Sequence, residues 1–139
     1  MAATAAQIAQ LRRMVAETTA TVTYSDTYLT TYIEAHPMYD ERGEEPYTWD
    51  SSTTPPTKVV NLDWIATYDL NAAAADIWDE KAAEVADQFD FSADGASHSL
   101  SQKYEHYQRR AAYYRARRAT RSITLIMQPH VEDLDHDVE

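Results

Sequence analysis

Cysteine is absent from the 139-residue chain. Disulfides and thiolate metal sites are therefore excluded, and the chain suits a reducing compartment. Glycine is almost absent, with two residues in the whole chain. A loop that cradles phosphate with backbone N–H groups has no material here, and there is no G-x-x-x-x-G-K, G-x-G-x-x-G or G-x-S-x-G. No apolar run reaches the ~18 residues of a membrane span. The opening MAATAAQIAQLRRMV lacks the basic-then-apolar order of a secretory signal. Large aliphatic residues are also scarce: Ile, Leu, Val and Phe number 22 of 139, below the ~20% mark that signals a shortage of core-forming side chains.

What is present is acid, alanine and tyrosine. The formal charge is −11, so the surface as a whole repels free DNA and anionic membranes. Alanine, ten tyrosines and three tryptophans make up much of the apolar content. Alanine favours helix but buries little area. The length suits one domain, but a lone monomer has a thin core. Oligomerisation is one remedy, because it hides surface that folding alone leaves wet.

The pattern along the chain predicts an all-α fold: a small bundle of about four helices with a short hairpin-like insert and an extended C-terminal arm. Thr4 and Gln7 form a capping box ahead of Ile8, Leu11 and Val15, a helix expected to end near Glu17. The β-branched run Thr18 to Tyr24 suits an extended connector. Ser25 caps a second helix with Tyr28, Leu29, Tyr32 and Ile33 on one face, closed by Pro37. Residues 38–60 are unpatterned, with three prolines and the acids Asp40, Glu41, Glu44 and Glu45. A segment of this length is either a contact loop or a solvated excursion. Asn61 or Asp63 is the expected cap of a main helix running to about Phe89. Trp64, Tyr68, Asn71, Ala75, Trp78, Ala82, Val85 and Phe89 form a continuous seam along it, and Ile65 and Ile77 widen the stripe. Asp94-Gly95 marks a turn, with a brief extended insert over 90–97. Ser99 and Gln102 supply a second capping box. The next helix carries Leu100, Tyr104, Tyr107, Ala111 and Tyr114 inward, where large tyrosines meet small alanines of the main helix. The expected core is Trp64, Tyr68, Trp78, Val85, Phe89, Tyr104 and Tyr107. The domain runs over 1–121, and 122–139 form an arm and acidic tail.

No pattern of catalytic residues accompanies this helical framework. Acid catalysis needs a carboxyl in an apolar pocket, whereas these carboxylates fall largely on exposed helix faces. Asp133, Asp135 and Asp137 echo the start of a calcium loop, but its sixth-position Gly and closing Glu are missing. The histidines form no H-x-x-x-H pair, so zinc is unsupported. No catalytic residue, cofactor or metal is assigned. The last helix is basic, with Lys103, Arg109, Arg110, Arg115, Arg117, Arg118 and Arg121. It can follow nucleic-acid phosphates or pair with an acidic protein face. Partner contacts are preferred, because its tyrosines fall on the inner stripe. The expected subunit–subunit contacts are Asp76, Asp79, Glu80 and Glu84 against Arg110, Arg117 and Arg118.

Several segments, taken in order, resemble a known family. They are Leu11-Arg12-Arg13-Met14-Val15, Tyr24-Ser25-Asp26, Asp69-Leu70-Asn71-Ala72-Ala73-Ala74-Ala75-Asp76-Ile77-Trp78, Phe89-Asp90-Phe91-Ser92-Ala93-Asp94-Gly95 and Ser101-Gln102-Lys103-Tyr104-Glu105. Their order and spacing over residues 5–121 resemble the head-to-tail connector (adaptor, or head-completion) proteins of long-tailed bacteriophages and related prophage elements. The loop at 38–60 and the acidic tail are not part of the likeness. The resemblance implies a non-catalytic structural protein of the virion neck, assembled in the host cytoplasm as a ring, commonly of twelve subunits. Such a ring bridges the portal protein to a stopper or tail-completion protein, and genomic DNA passes through its centre without specific binding. It touches no membrane. The implied portal-binding arm is Thr120, Arg121, Ser122, Ile123, Thr124, Leu125, Ile126 and Met127. An apolar β-prone segment of this kind can add to an exposed sheet edge; its alternative is a terminal strand of its own subunit. An acidic helical binding or regulatory module of the DNA-mimic type, without a ring, is the competing reading of the composition.

Overall fold

The computed structural model describes residues 2–89 and 97–119, without the side chains of 89 and 97–99. Four helices hold about half of the described residues, and a two-stranded antiparallel sheet stands beside them. The fold is therefore mostly helical rather than all-α. The elements are α1 (Ala5–Met14), α2 (Asp26–Glu34), β1 (Tyr47–Asp50), β2 (Thr57–Val60), α3 (Leu70–Phe89) and α4 (Ser97–Arg115).

Helix α1 begins where the sequence placed it. Thr4 Oγ1 accepts from the Gln7 N–H at 3.2 Å, and Gln7 Oε1 accepts from the Thr4 N–H at 2.8 Å. It ends at Met14, three residues earlier than expected. Ala16 takes a left-handed conformation (φ 59°). The Glu17 N–H reaches back to the Arg12 carbonyl and the Ala16 N–H to that of Arg13, which is the Schellman closure usually given to glycine. The free carbonyls past this end are met from other helices. Trp78 Nε1 and the Tyr114 hydroxyl both donate to the Met14 carbonyl, at 3.2 and 3.0 Å, and Lys81 Nζ donates to that of Val15 at 2.8 Å. Helix ends leave such groups unpaired by construction, so α3 and α4 are fixed against α1 by its own chemistry. Ser25 caps α2 through the Tyr28 N–H, and the buried Arg12 guanidinium ties α1 to Asp26 in the first turn of α2.

The main helix starts at Leu70, not near Asn61 or Asp63. Asp69 caps it, its Oδ1 accepting from the N–H groups of Asn71 and Ala72, both at 3.0 Å. Residues 61–69 are spent elsewhere. Met38 N–H donates to the Thr67 carbonyl, Asp69 N–H to that of His36, and Trp64 Nε1 to that of Met38. Trp64 and Tyr68 are still buried, packed edge to face at 5.5 Å, but they lie before the helix rather than on its seam. Ile65, expected in the stripe, is exposed. Ala72 to Ala75 are all buried, as are Ile77, Trp78, Ala82 and Val85. Tyr104 and Tyr107 are half-buried, and Tyr107 packs on Trp78 at 5.2 Å. The side chain of Phe89 lies outside the described residues. Helix α4 already includes Ser97, so Ser99 sits inside it and is not its cap.

Residues 38–60 depart most from expectation. They hold β1 and β2, paired Tyr47↔Val60, Thr48↔Val59, Trp49↔Lys58 and Asp50↔Thr57. The insert expected over 90–97 falls, up to residue 96, outside the described residues, as do the arm 120–127 and the acidic tail.

Two outcomes test this packing. Trp78→Ala should cost roughly 3–5 kcal/mol in a urea titration, the range for an aromatic lost from a core; a change near zero would show that the α3–α4 seam is wrong. Ala16→Gly should raise stability by about 1 kcal/mol, because Ala16 is exposed and its left-handed backbone suits glycine. A loss of stability there would rule out the closure described for α1.

Candidate interaction surfaces

The acidic residues of α3 mostly hold partners within the chain. Glu80 accepts hydrogen bonds from the hydroxyls of Tyr28 and Tyr32 on α2. Burial, and then the bond to Glu80, push both phenols above their ordinary value. Asp76 lies 2.6 Å from His36 Nε2, and Asp79 pairs with Arg115 of α4. Glu84 is exposed and lines a cleft of about 130 Å³ with Glu17, Tyr24, Lys81, Lys103 and Tyr107. Lys81 is buried there, 2.6 Å from Glu17 and over the rings of Tyr24 and Trp78. The Tyr24 hydroxyl is buried with no hydrogen-bond partner among the described residues. Burial, helped by Glu84, Glu80 and Glu17, raises its pKa.

Helix α4 presents the opposite charge. From 103 to 118 this helix and the turn after it carry six Lys and Arg against a single Glu, a net charge of +5 in a chain of −11. Arg109 pairs with Glu105 one turn back at 3.0 Å, and Arg115 is used by Asp79. Arg110, Arg117 and Arg118 have no carboxylate within ion-pair distance among the described residues. Helical spacing puts Arg109, Tyr113 and Arg117 on the outer side and Arg110 at its edge, where its guanidinium carbon lies 5.9 Å from the centroid of the Trp78 ring; all four residues are exposed. Arg117 stacks on the Tyr113 ring with its guanidinium carbon 3.6 Å from the centroid, which holds an aromatic face and a cation open to solvent.

The hairpin forms the second exposed surface. Its strands pair with each other and with no helix. Trp49 is 68% exposed, and Tyr47, Val59, Val60 and Leu62 are exposed as well. The base of the lobe is organised by Asp40, whose side chain is fully buried. Its Oδ1 accepts from the N–H groups of Arg42 and Glu44, and its Oδ2 from the N–H of Ile65. Gly43 completes the turn at φ 80° and donates to the Asp40 carbonyl. Asn61 closes the other side, donating to Glu44 and to the Glu45 carbonyl. Burial works against the Asp40 charge, but three N–H donors and the Arg42 guanidinium outweigh it and hold the carboxyl down at about 2. Sequence reasoning saw these acids only as a charged run. The Asp40-x-x-Gly43 spacing was the available sign of a turn.

Among the described residues no group of three His, Cys, Asp or Glu could hold a metal ion, and no helix is long and apolar enough to cross a membrane. No protein-family model, curated protein or solved structure matches the chain.

The Asp40 hub predicts a pH response of defined sign. Its folded pKa is depressed from 3.8 to about 2, so its contribution is complete above ~4 and is lost as pH falls through 2. In an NMR titration the amide signals of Glu44 and Ile65 should move with a midpoint near 2. A midpoint near 4 would mean that those donors do not hold the carboxylate.

Proposed function

We propose that this chain is an adaptor subunit of the head-to-tail connector of a long-tailed bacteriophage. It assembles as a ring beneath the portal protein, bridges it to a stopper or tail-completion protein, and lets genomic DNA pass through the centre without catalysis. The ordered resemblance of residues 5–121 motivates this reading. The observation that carries it is the separation of two exposed surfaces on a small core: a basic α4 face and an acidic hairpin lobe whose strands leave apolar side chains exposed. An exposed Trp, Tyr and Val set of this kind is a surface built for protein contact. The acidic remainder suits a DNA conduit, since phosphates gain no hold on a negative wall and can slide past it.

The arm at 120–127 is the part proposed to dock on the portal. Its root is fixed, because the Ala119 N–H donates to Asp69 Oδ2 at 2.7 Å, at the start of α3. The DNA-mimic reading fits less well. A mimic needs a continuous acidic face, and α4 with the turn after it interrupts that face with five arginines between 109 and 118.

The test is to mix the protein with the portal of the same virus and image the product. A symmetric collar of this chain on the portal is expected. A monomer that ignores the portal overturns the proposal. Removing residues 120–139 should leave the circular-dichroism spectrum helical and the melt cooperative while portal docking is lost; docking that survives would take the arm out of the contact.

A further inference from the structure

The two exposed surfaces differ in sign as well as in position. Between residues 38 and 65 the hairpin lobe carries six carboxylates against Arg42 and Lys58, a net charge of −4. Glu41, Glu44, Glu45 and Asp63 are exposed on it. The outer side of α4 and the turn after it carries Arg109 and Arg117 around Tyr113, with Arg110 at its edge. Each surface opens aromatic residues to solvent: Trp49 at 68%, with Tyr39 and Tyr47, on the lobe, and Tyr113 at 45% on α4. Of the five acids of α3, Glu84 and Asp87 are exposed without an ion pair among the described residues, but the other three are poor candidates to meet α4 of another copy. Asp76, Asp79 and Glu80 are already held by His36, Arg115 and the Tyr28–Tyr32 pair. Within one chain the two surfaces do not meet, since neither strand contacts α4.

We infer that the hairpin lobe of one copy docks on the α4 face of the next, with Trp49 seated beside Tyr113 and the lobe's carboxylates facing Arg110 and Arg117. The occupant of each surface is a second copy of this chain. Charge complementarity is the warrant: opposite fields on two separate patches favour their encounter and disfavour each patch meeting itself. A Trp and a Tyr framed by charge are the residue types that anchor such contacts. A contact between two different patches is heterologous. It propagates head to tail and closes as a ring when the rotation permits. This inference rests on the ring reading above and specifies which faces make the ring.

The absence of cysteine makes the contact directly testable. Lys58→Cys stands opposite Trp49 on the hairpin, and Ala112→Cys stands next to Tyr113 on α4. The two single variants are mixed under ring-forming conditions with portal and treated with a short bis-maleimide. A covalent heterodimer from the mixture is expected, with no homodimer from either variant alone. Joining both substitutions in one chain should give a ladder of cross-linked multimers. Arg110→Glu with Arg117→Glu should abolish the heterodimer while the melt of the monomer stays cooperative. Collars without the heterodimer would overturn this contact and leave the adaptor reading standing. Homodimers from one variant would show a self-matched patch and overturn it as well. If neither collar nor cross-link forms, both proposals fall. If the α4 variant loses binding to duplex DNA and no heterodimer appears, α4 is a nucleic-acid face and the inference is wrong.

Discussion

The structure depends on one turn of helix made only of alanine. Ala72, Ala73, Ala74 and Ala75 are consecutive, and all are essentially inaccessible. Consecutive residues step ~100° around a helix, so four buried in a row mean that α3 is enclosed on nearly every side there. Such a helix ordinarily belongs to the middle of a large protein. Here α1, α2 and α4 all pack against α3, and only a side chain as small as alanine lets the surrounding elements come that close. The same choice limits the area buried per residue. The protein compensates with aromatic residues at the edges of this turn and with polar side chains that bind helix ends.

Those polar contacts explain how a thin core holds its geometry. The Met14 and Val15 carbonyls, exposed by the early end of α1, receive an indole, a phenol and an ammonium from α3 and α4. Asp69 caps α3 with one oxygen and holds the chain after α4 with the other. Arg12 joins α1 to α2. Each contact satisfies a group that would otherwise be stranded on burial. Orientation between helices is thus set by a few directional bonds more than by apolar area.

The helices were legible in the sequence because their signals are local. The Thr4–Gln7 box, the Ser25 cap and the spacing from Ala75 to Val85 all depend on residues a few positions apart. The start of α3 was misread because Trp64 and Tyr68 continue the same three-and-four spacing while their backbone pairs with the exit from α2. Asp69, directly before the alanine run, was an equally good capping residue, and propensity favoured it. The hairpin was missed for a different reason. Its residues alternate, but seven of the eight strand residues are exposed, so no buried face separates apolar from polar. Flanking prolines and acids made the segment look like a loop. Among residues expected at contacts, sequence alone could not separate Asp76, Asp79 and Glu80, which pair within the chain, from Glu84, which is exposed, because all lie on one helix.

The lobe has a thermodynamic logic of its own. An isolated two-stranded hairpin is marginal in water, and these strands pack on no helix. It persists because its base is rigid: Asp40 gathers three backbone donors, Asn61 directly after β2 bonds Glu44 and Glu45 ahead of β1, and Trp64 anchors the following turn to Met38. A chain short of aliphatic residues nevertheless leaves Trp49, Val59, Val60 and Leu62 in solvent, outside a core that lacks them. A stiff base carrying strands with exposed apolar side chains loses little ordering entropy on docking. Self-repulsion from a charge of −11 opposes any contact between like copies. Gathering half of the positive charge onto α4 and the turn after it is the arrangement that turns this repulsion into a preference for one orientation.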